Sequence, residues 1–128
     1  MTIGKTGLQE FTVTADMLAS RMGSGLVDVF ATPMLIAMME GTAAQSVADE
    51  LAPGQTTVGT RLDVRHLAAT PEGMRVRVVS RLTAVDGRKL TFAVQAFDEI
   101  EQIGEGTHER FVVDQDKFVA RAQAKRPE

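Results

Sequence analysis

One stretch, from Thr32 to about Leu51, limits what the rest of the chain can do. Thr32 precedes Pro33, a pair in which the threonine oxygen accepts an orphan first-turn N–H and the proline takes the first helical position. A helix is therefore expected to start there and to stop before Pro53-Gly54. Its first half is apolar nearly all round, in Met34, Leu35, Ile36, Ala37, Met38 and Met39, and its centre carries Gly41, Ala43 and Ala44. Such a helix is wrapped by protein, and small residues let a sheet or a second chain approach closely. It reads as a buried central helix that the remaining segments must cover.

Those segments are strands. From Thr56 the period changes to two, with Val58, Thr60, Leu62, Val64 and His66 expected on one face and Arg61, Asp63 and Arg65 on the other. After a loop over Leu67 to Gly73, Met74, Val76 and Val78 alternate with Arg75 and Arg77, and this strand runs to Val85. Asp86-Gly87 suggests a type I′ hairpin turn. Leu90, Phe92, Val94 and Ala96 return, Asp98 to Glu101 turn again, and Ile103 to Val113 form a last long strand. Leu8 to Val13 reads as an opening strand, Thr14 as the cap of a short helix to about Met22, and Gln115 to Arg126 as a closing helix. An antiparallel sheet needs one face covered, and the apolar helix is the element available to cover it. The expected class is α+β, the hotdog arrangement: a curved antiparallel β-sheet wrapped around one long central helix. At 128 residues, the whole chain is expected to form a single domain.

Composition removes several kinds of function. Seventeen acidic against 14 basic residues leave a net charge of −3, and aromatic residues are few, so nucleic acid is not the expected partner. With no cysteine and only two histidines far apart in sequence, neither a disulfide nor a metal site is expected. The first residues lack the apolar stretch of a secretory signal, and the run Pro33 to Met39 is far too short for a membrane span. A cytoplasmic location with no membrane partner is the default expectation.

Several residues can carry chemistry. Glu40 follows the apolar run, and a buried carboxylate must be paired, neutral or part of a site. His66 ends its strand in line with apolar neighbours and titrates near working pH, as a general base does, although many such histidines are satisfied core residues. Thr32 on its own is a cap, and its hydroxyl gains reactivity only with a base beside it. Gly59, inside a strand, marks a bulge, a backbone N–H open to a ligand, or close packing on the helix. His108 is expected on the face opposite Ile103, Phe111 and Val113. The arginines at 61, 65, 75, 77, 81 and 88 read as a solvated sheet face, although guanidinium groups of this kind can also bind phosphates.

Taken together and in order, Val29-Phe30-Ala31-Thr32-Pro33, Met38-Met39-Glu40, Val58-Gly59-Thr60, Val64 to Pro71 and Ile103 to Arg110 resemble the fluoroacetyl-CoA thioesterase-like family of hotdog proteins. The resemblance runs from about Val29 to about Arg121. It implies hydrolysis of an acyl-coenzyme A thioester, without metal or organic cofactor, in a homodimer with active sites near the subunit interface. It places the family's threonine, glutamate and histidine on Thr32, Glu40 and His66 as catalytic residues, and its pocket-lining glycine and arginine on Gly59 and Arg110. Whether Thr32, Glu40 or a water attacks the carbonyl stays open. Arg21 to Asp28 lack the aromatic lid residues of the fluoroacetyl-specific members, so a more general acyl-CoA is the expected substrate. The competing expectations are a non-catalytic acyl-CoA-binding hotdog module, a hotdog hydratase or dehydratase, and a structural dimer with a vestigial pocket. A geometric condition follows from the helix: eight residues put Thr32 and Glu40 about 12 Å apart along the axis. Both reach one carbonyl only if Thr32 lies off the helix, as the following Pro33 favours, or if one of them comes from the other subunit.

Overall fold

The computed structural model describes residues 1–127. Strand β1 (Thr6–Thr12) is followed by a 3₁₀ turn (Ala15–Met17) and the short helix α1 (Ala19–Met22). The long helix α2 (Thr32–Val47) continues into a second 3₁₀ turn (Ala48–Glu50). Strands β2 (Gln55–His66), β3 (Arg75–Asp86), β4 (Lys89–Asp98) and β5 (Gln102–Asp114) and the helix α3 (Gln115–Gln123) complete the chain. The strands form one sheet in the order β1-β3-β4-β5-β2, antiparallel at every junction. This is the expected α+β hotdog arrangement, with the sheet curved around α2.

The helix is gripped along a row of residues four apart. Leu35, Met39, Ala43 and Val47 have no exposed surface and meet Val76, Val78, Leu82, Phe92, Val94 and Ile103 of the sheet. Each of the larger side chains contributes roughly 1.5–3 kcal/mol by leaving water. On the β1 side the packing is closer and more polar. A Cβ on Gly7 would lie 2.7 Å from Ser80 Oγ and 2.8 Å from the Thr42 carbonyl, so only glycine lets the strand sit against the helix. Thr42 Oγ1 donates to the Met38 carbonyl at 2.7 Å, which spares a buried hydroxyl an unpaired state.

The sheet of the same chain covers only one flank of α2, so within one chain the expected wrapping of the helix is one-sided. Pro33 and Ala37 are exposed, and Ile36, Glu40, Gly41 and Ala44 are only half-buried. Strand β2 lies beside this flank at the edge of the sheet, paired on one side only.

Two bulges invert the expected alternation. In β2, Gly59 pairs with Arg110 and Arg61 with Glu109, leaving Thr60 as an extra residue. Thr57 and Gly59 therefore face the helix before the bulge, in place of Val58 and Thr60, while Leu62, Val64 and His66 face it afterwards. In β5, Gly104 pairs with Ala96 and Gln102 with Phe97, so Ile103 is the extra residue. His108, Arg110 and Val112 are consequently buried, while Phe111 is 40% exposed. His108 thus lies on the inner face, contrary to expectation, because a bulge shifts the parity of every residue beyond it.

The β3–β4 turn also differs in detail. Asp86 pairs with Lys89, so the two turn residues are Gly87 and Arg88, and only Gly87 has positive φ. A single positive φ at the first position is the type II′ pattern rather than type I′. At the β4–β5 turn, Asp98 Oδ1 accepts from the backbone N–H groups of Ile100 and Glu101, and Oδ2 accepts from the buried Thr70 hydroxyl. Burial raises the Asp98 pKa, but these three hydrogen bonds outweigh it and hold the carboxyl below its ordinary value.

Candidate functional site

The chain entering α2 is fixed from both sides. Phe30 donates its N–H to the Thr70 carbonyl and Ala31 donates to the Met17 carbonyl, both at 2.8 Å. Ala31, not Thr32, occupies the capping position, and no side chain caps the helix. Thr32 is already helical, and its hydroxyl has another partner: Oγ1 lies 2.7 Å from Nδ1 of His66. The expectation of a threonine cap fails because strand β2 brings an imidazole from 34 residues away to that hydroxyl. The expectation of a threonine off the helix fails because the extended Ala31 takes the capping position and leaves Thr32 as the first helical residue.

His66 is held in turn. The next residue, Leu67, donates its N–H to the Ile103 carbonyl at 2.7 Å, and the Phe30 ring meets the imidazole edge-on at 6.3 Å between centroids. Burial lowers the His66 pKa, although the Ala68 backbone favours the charged ring to a lesser degree. Nε2 is buried with no well-aligned hydrogen-bond partner among the described residues. A neutral ring accepting the threonine proton at Nδ1 carries its own proton on Nε2. Beside this pair opens a cleft of about 390 Å³ lined by Val27, Val29, Phe30, Leu67 and Ala69. Leu26, at the rim loop, is 98% exposed.

The other expected residues form a second cluster, two turns along α2. Arg110 Nη1 lies 3.6 Å from Glu40 Oε2, with the arginine side chain 8% exposed and the glutamate 38%. Burial lowers the Arg110 pKa and the Glu40 carboxylate opposes that change. The guanidinium is clamped by donating from Nε to Thr57 Oγ1 at 2.8 Å and from Nη2 to the Thr57 carbonyl at 2.9 Å. Its Nη1 also lies 3.1 Å from His108 Nε2. Gly59 borders the pair so closely that a Cβ there would collide with Glu40 Oε2 and approach Arg110 Nη1 and His108 Cε1 to 3.2 Å. The glycine is thus both a bulge residue and a close-approach residue.

Four of the five residues singled out in the sequence therefore fall into a hydroxyl–imidazole pair and a carboxylate–guanidinium pair, and the fifth, Gly59, borders the second. Since Thr32 opens α2, the spacing of about 12 Å within one chain stands. Thr57 and His108 complete the second cluster; the sequence gives no sign of Thr57 and places His108 on the wrong face. The spacing of two from Gly59 and Arg110 becomes a signal only once the bulges are known. The predicted arginines at 61, 65, 75, 77, 81 and 88 are all exposed. Among the described residues, no helix is long and apolar enough to cross a membrane.

Comparison with known proteins points in one direction. A family model described as fluoroacetyl-CoA-specific thioesterase matches residues 13–116. The fluoroacetyl-CoA thioesterase of Streptantibioticus cattleyicolor is 42% identical over 100 residues, covering 78% of this chain and 72% of that protein. A crystal structure of a variant of the fluoroacetyl-CoA-specific thioesterase in complex with fluoroacetate and CoA superposes with a TM-score of 0.88 at 35% identity, covering 92% of this chain and 99% of that one. A thioesterase superfamily member from Thermus thermophilus superposes with a TM-score of 0.89 at 30% identity, covering 96% and 91%.

Proposed function

The chain belongs to the fluoroacetyl-CoA thioesterase family of hotdog-fold thioester hydrolases, and from that membership we propose that it hydrolyses acyl-coenzyme A as a cytoplasmic homodimer, the whole chain serving as one domain. The observation that carries this reading is the 2.7 Å contact between Thr32 Oγ1 and His66 Nδ1, a hydroxyl beside a neutral base at the mouth of an apolar cleft.

In the reaction, the oxygen of a water adds to the thioester carbonyl, directly or after the acyl group has passed to Thr32 or Glu40; the C–S bond breaks, one proton ends on the sulfur of coenzyme A, and the acyl group leaves as the free acid. Thr32 and His66 supply the proton-handling half: the imidazole takes a proton as the carbonyl carbon is attacked and returns it to the leaving thiolate. Glu40 and Arg110 supply the charged half, with the guanidinium and the Gly59 backbone as donors toward the developing oxyanion. No metal or organic cofactor has a step in this scheme.

The two halves meet across a dimer. The open flank of α2 and the β2 edge lie together, and Leu62 on that edge is 38% exposed. An unpaired edge strand beside an apolar helix flank supports self-association about a two-fold axis. Antiparallel helices across that axis would bring Thr32 of one protomer toward Glu40 of its partner. The acyl specificity proposed is broader than fluoroacetyl, because Val27 lines the cleft and no aromatic residue lies between Arg21 and Asp28.

Free-thiol release tests the reading. Fluoroacetyl-, acetyl-, branched and aromatic acyl-CoA esters are compared with the wild type beside Glu40→Gln. Hydrolysis of several esters, lost in the folded variant, is expected. Binding without thiol release would sink the enzyme assignment, and a kcat/KM for fluoroacetyl-CoA far above every other ester would sink the broad specificity alone.

A further inference from the structure

His108 is fully buried, and both of its ring nitrogens have a partner. Its Nδ1 lies 2.8 Å from the carbonyl oxygen of Arg61. A carbonyl only accepts, so Nδ1 carries the proton, and a neutral imidazole then presents a bare lone pair at Nε2. That lone pair faces Arg110 Nη1 at 3.1 Å, and a guanidinium only donates. The two contacts together select one tautomer and one charge state. A second proton would remove the acceptor and set two cations against each other.

The Arg61 carbonyl reaches this point because of the Thr60 bulge. Beyond it, the other ionisable groups facing the ring are Arg110 and Glu40, and the remaining wall is the Phe92 ring, 6.3 Å away between centroids. Burial, the largest effect, lowers the His108 pKa, as does the Arg110 charge, while the Arg61 carbonyl and Glu40 act in the other direction. The Arg110 guanidinium thus has three acceptors supplied by the fold: two from Thr57 on one edge and Nε2 of His108 on the other. What those acceptors leave free is the direction in which Nη1 meets Glu40.

We propose that His108 is a positioning residue for the thioesterase reaction: fixed by the Arg61 carbonyl, it offers Nε2 to Arg110 and so aims the guanidinium at Glu40 and the thioester carbonyl. The inference rests on the thioesterase reading, although the hydrogen-bond arrangement itself does not. Its chemistry separates the two nitrogens. Glutamine can present an acceptor near the place of Nε2, whereas asparagine can reach the place of Nδ1 and so keeps the bond to Arg61 while losing the acceptor for Arg110.

The test compares kcat and KM for thioester hydrolysis in the wild type, His108→Gln and His108→Asn, with far-ultraviolet circular dichroism and Tm read on each. His108→Gln is expected to keep kcat within about threefold, and His108→Asn to lose about tenfold or more in kcat with a native spectrum. Equal kcat in the two folded variants, high or low, would overturn the proposal. A second measurement needs no variant: nitrogen-15 NMR of the imidazole in the wild-type protein is expected to show neutral His108 with its proton on Nδ1 at pH 7. A charged ring or a proton on Nε2 would overturn the proposal even if His108→Asn does not fold. A wild type that cleaves no ester would remove the thioesterase reading instead, and the NMR result would still decide the hydrogen-bond arrangement.

Discussion

Thr32 Oγ1 and His66 Nδ1 stand 2.7 Å apart, joining the first residue of the central helix to the last residue of a strand at the sheet edge. Neither residue is needed to hold those elements, since Ala31 and Leu67 are fixed by their own backbone hydrogen bonds. His66→Ala is therefore expected to fold and to lose activity by roughly a hundredfold or more, the scale of a general base. Thr32→Ala is expected to fall by a similar factor and Thr32→Ser by less than about tenfold, because serine keeps the hydroxyl. Thiol-release rates read both effects, and a Thr32→Ser no better than Thr32→Ala would mean that the hydroxyl is not what matters.

Acid should be felt twice, in rate and in stability. Burial leaves the pKa values of both His66 and His108 below the ordinary 6.5, so the acid limb of kcat/KM is expected below pH 6.5, with the base still neutral where an exposed histidine would be half charged. The same shift has a fixed sign in folding. Below pH 6.5 the unfolded chain binds protons at these rings that the folded chain refuses, so stability falls as pH decreases from 6.5 toward the folded values. The carboxyls held below their ordinary values, such as Asp98, lose their contribution only at lower pH. A Tm that stays flat between pH 7 and pH 5 would contradict this.

How much of this was readable beforehand depends on where the alternation breaks. The order of strands and the single covering helix follow from the switch of period at Thr56, and the structure keeps them within a residue or two. The faces do not follow, because the Thr60 and Ile103 bulges invert them: Gly59 signals the first without fixing its position, and Ile103 signals nothing of the second. For that reason alone the alternation puts His108 outward. The sequence makes Thr32 a cap because a hydroxyl next to Pro33 usually finds a backbone N–H. The competing imidazole is distant in sequence and only the fold brings it near. Glu40 and Arg110 came from their motifs, but their ion pair depends on the register of β2 against β5.

Gly59 gives a sharp steric prediction. An added methyl group would collide with Glu40 Oε2 and press on Arg110 and His108, while the backbone of Gly59 has no positive φ, so alanine is tolerable to the strand itself. Gly59→Ala is expected to keep the fold and to lower kcat by about 10- to 100-fold, through displacement of the charged half of the site. A wild-type kcat in Gly59→Ala would show that the close packing around Glu40 has no bearing on turnover.

The separation of Thr32 from Glu40 leads to the most discriminating prediction. Thr32 lies within α2, so the two residues are held about 12 Å apart along one helix, and a shared carbonyl requires one of them from each protomer. Thr32→Ala and Glu40→Gln homodimers are each expected to be nearly inactive. In a mixed dimer of the two variants, one composite site carries both substitutions and the other carries neither. Co-expression with two different affinity tags, followed by purification of the mixed dimer, should therefore recover about half of the wild-type rate. Placing Leu62→Arg on both chains should abolish this recovery by opening the β2 edge, with a monomer seen in size-exclusion chromatography coupled to light scattering. If the mixed dimer forms and stays inactive, each site is built within one chain, and the catalytic groups must reach each other by a movement of α2 against the sheet.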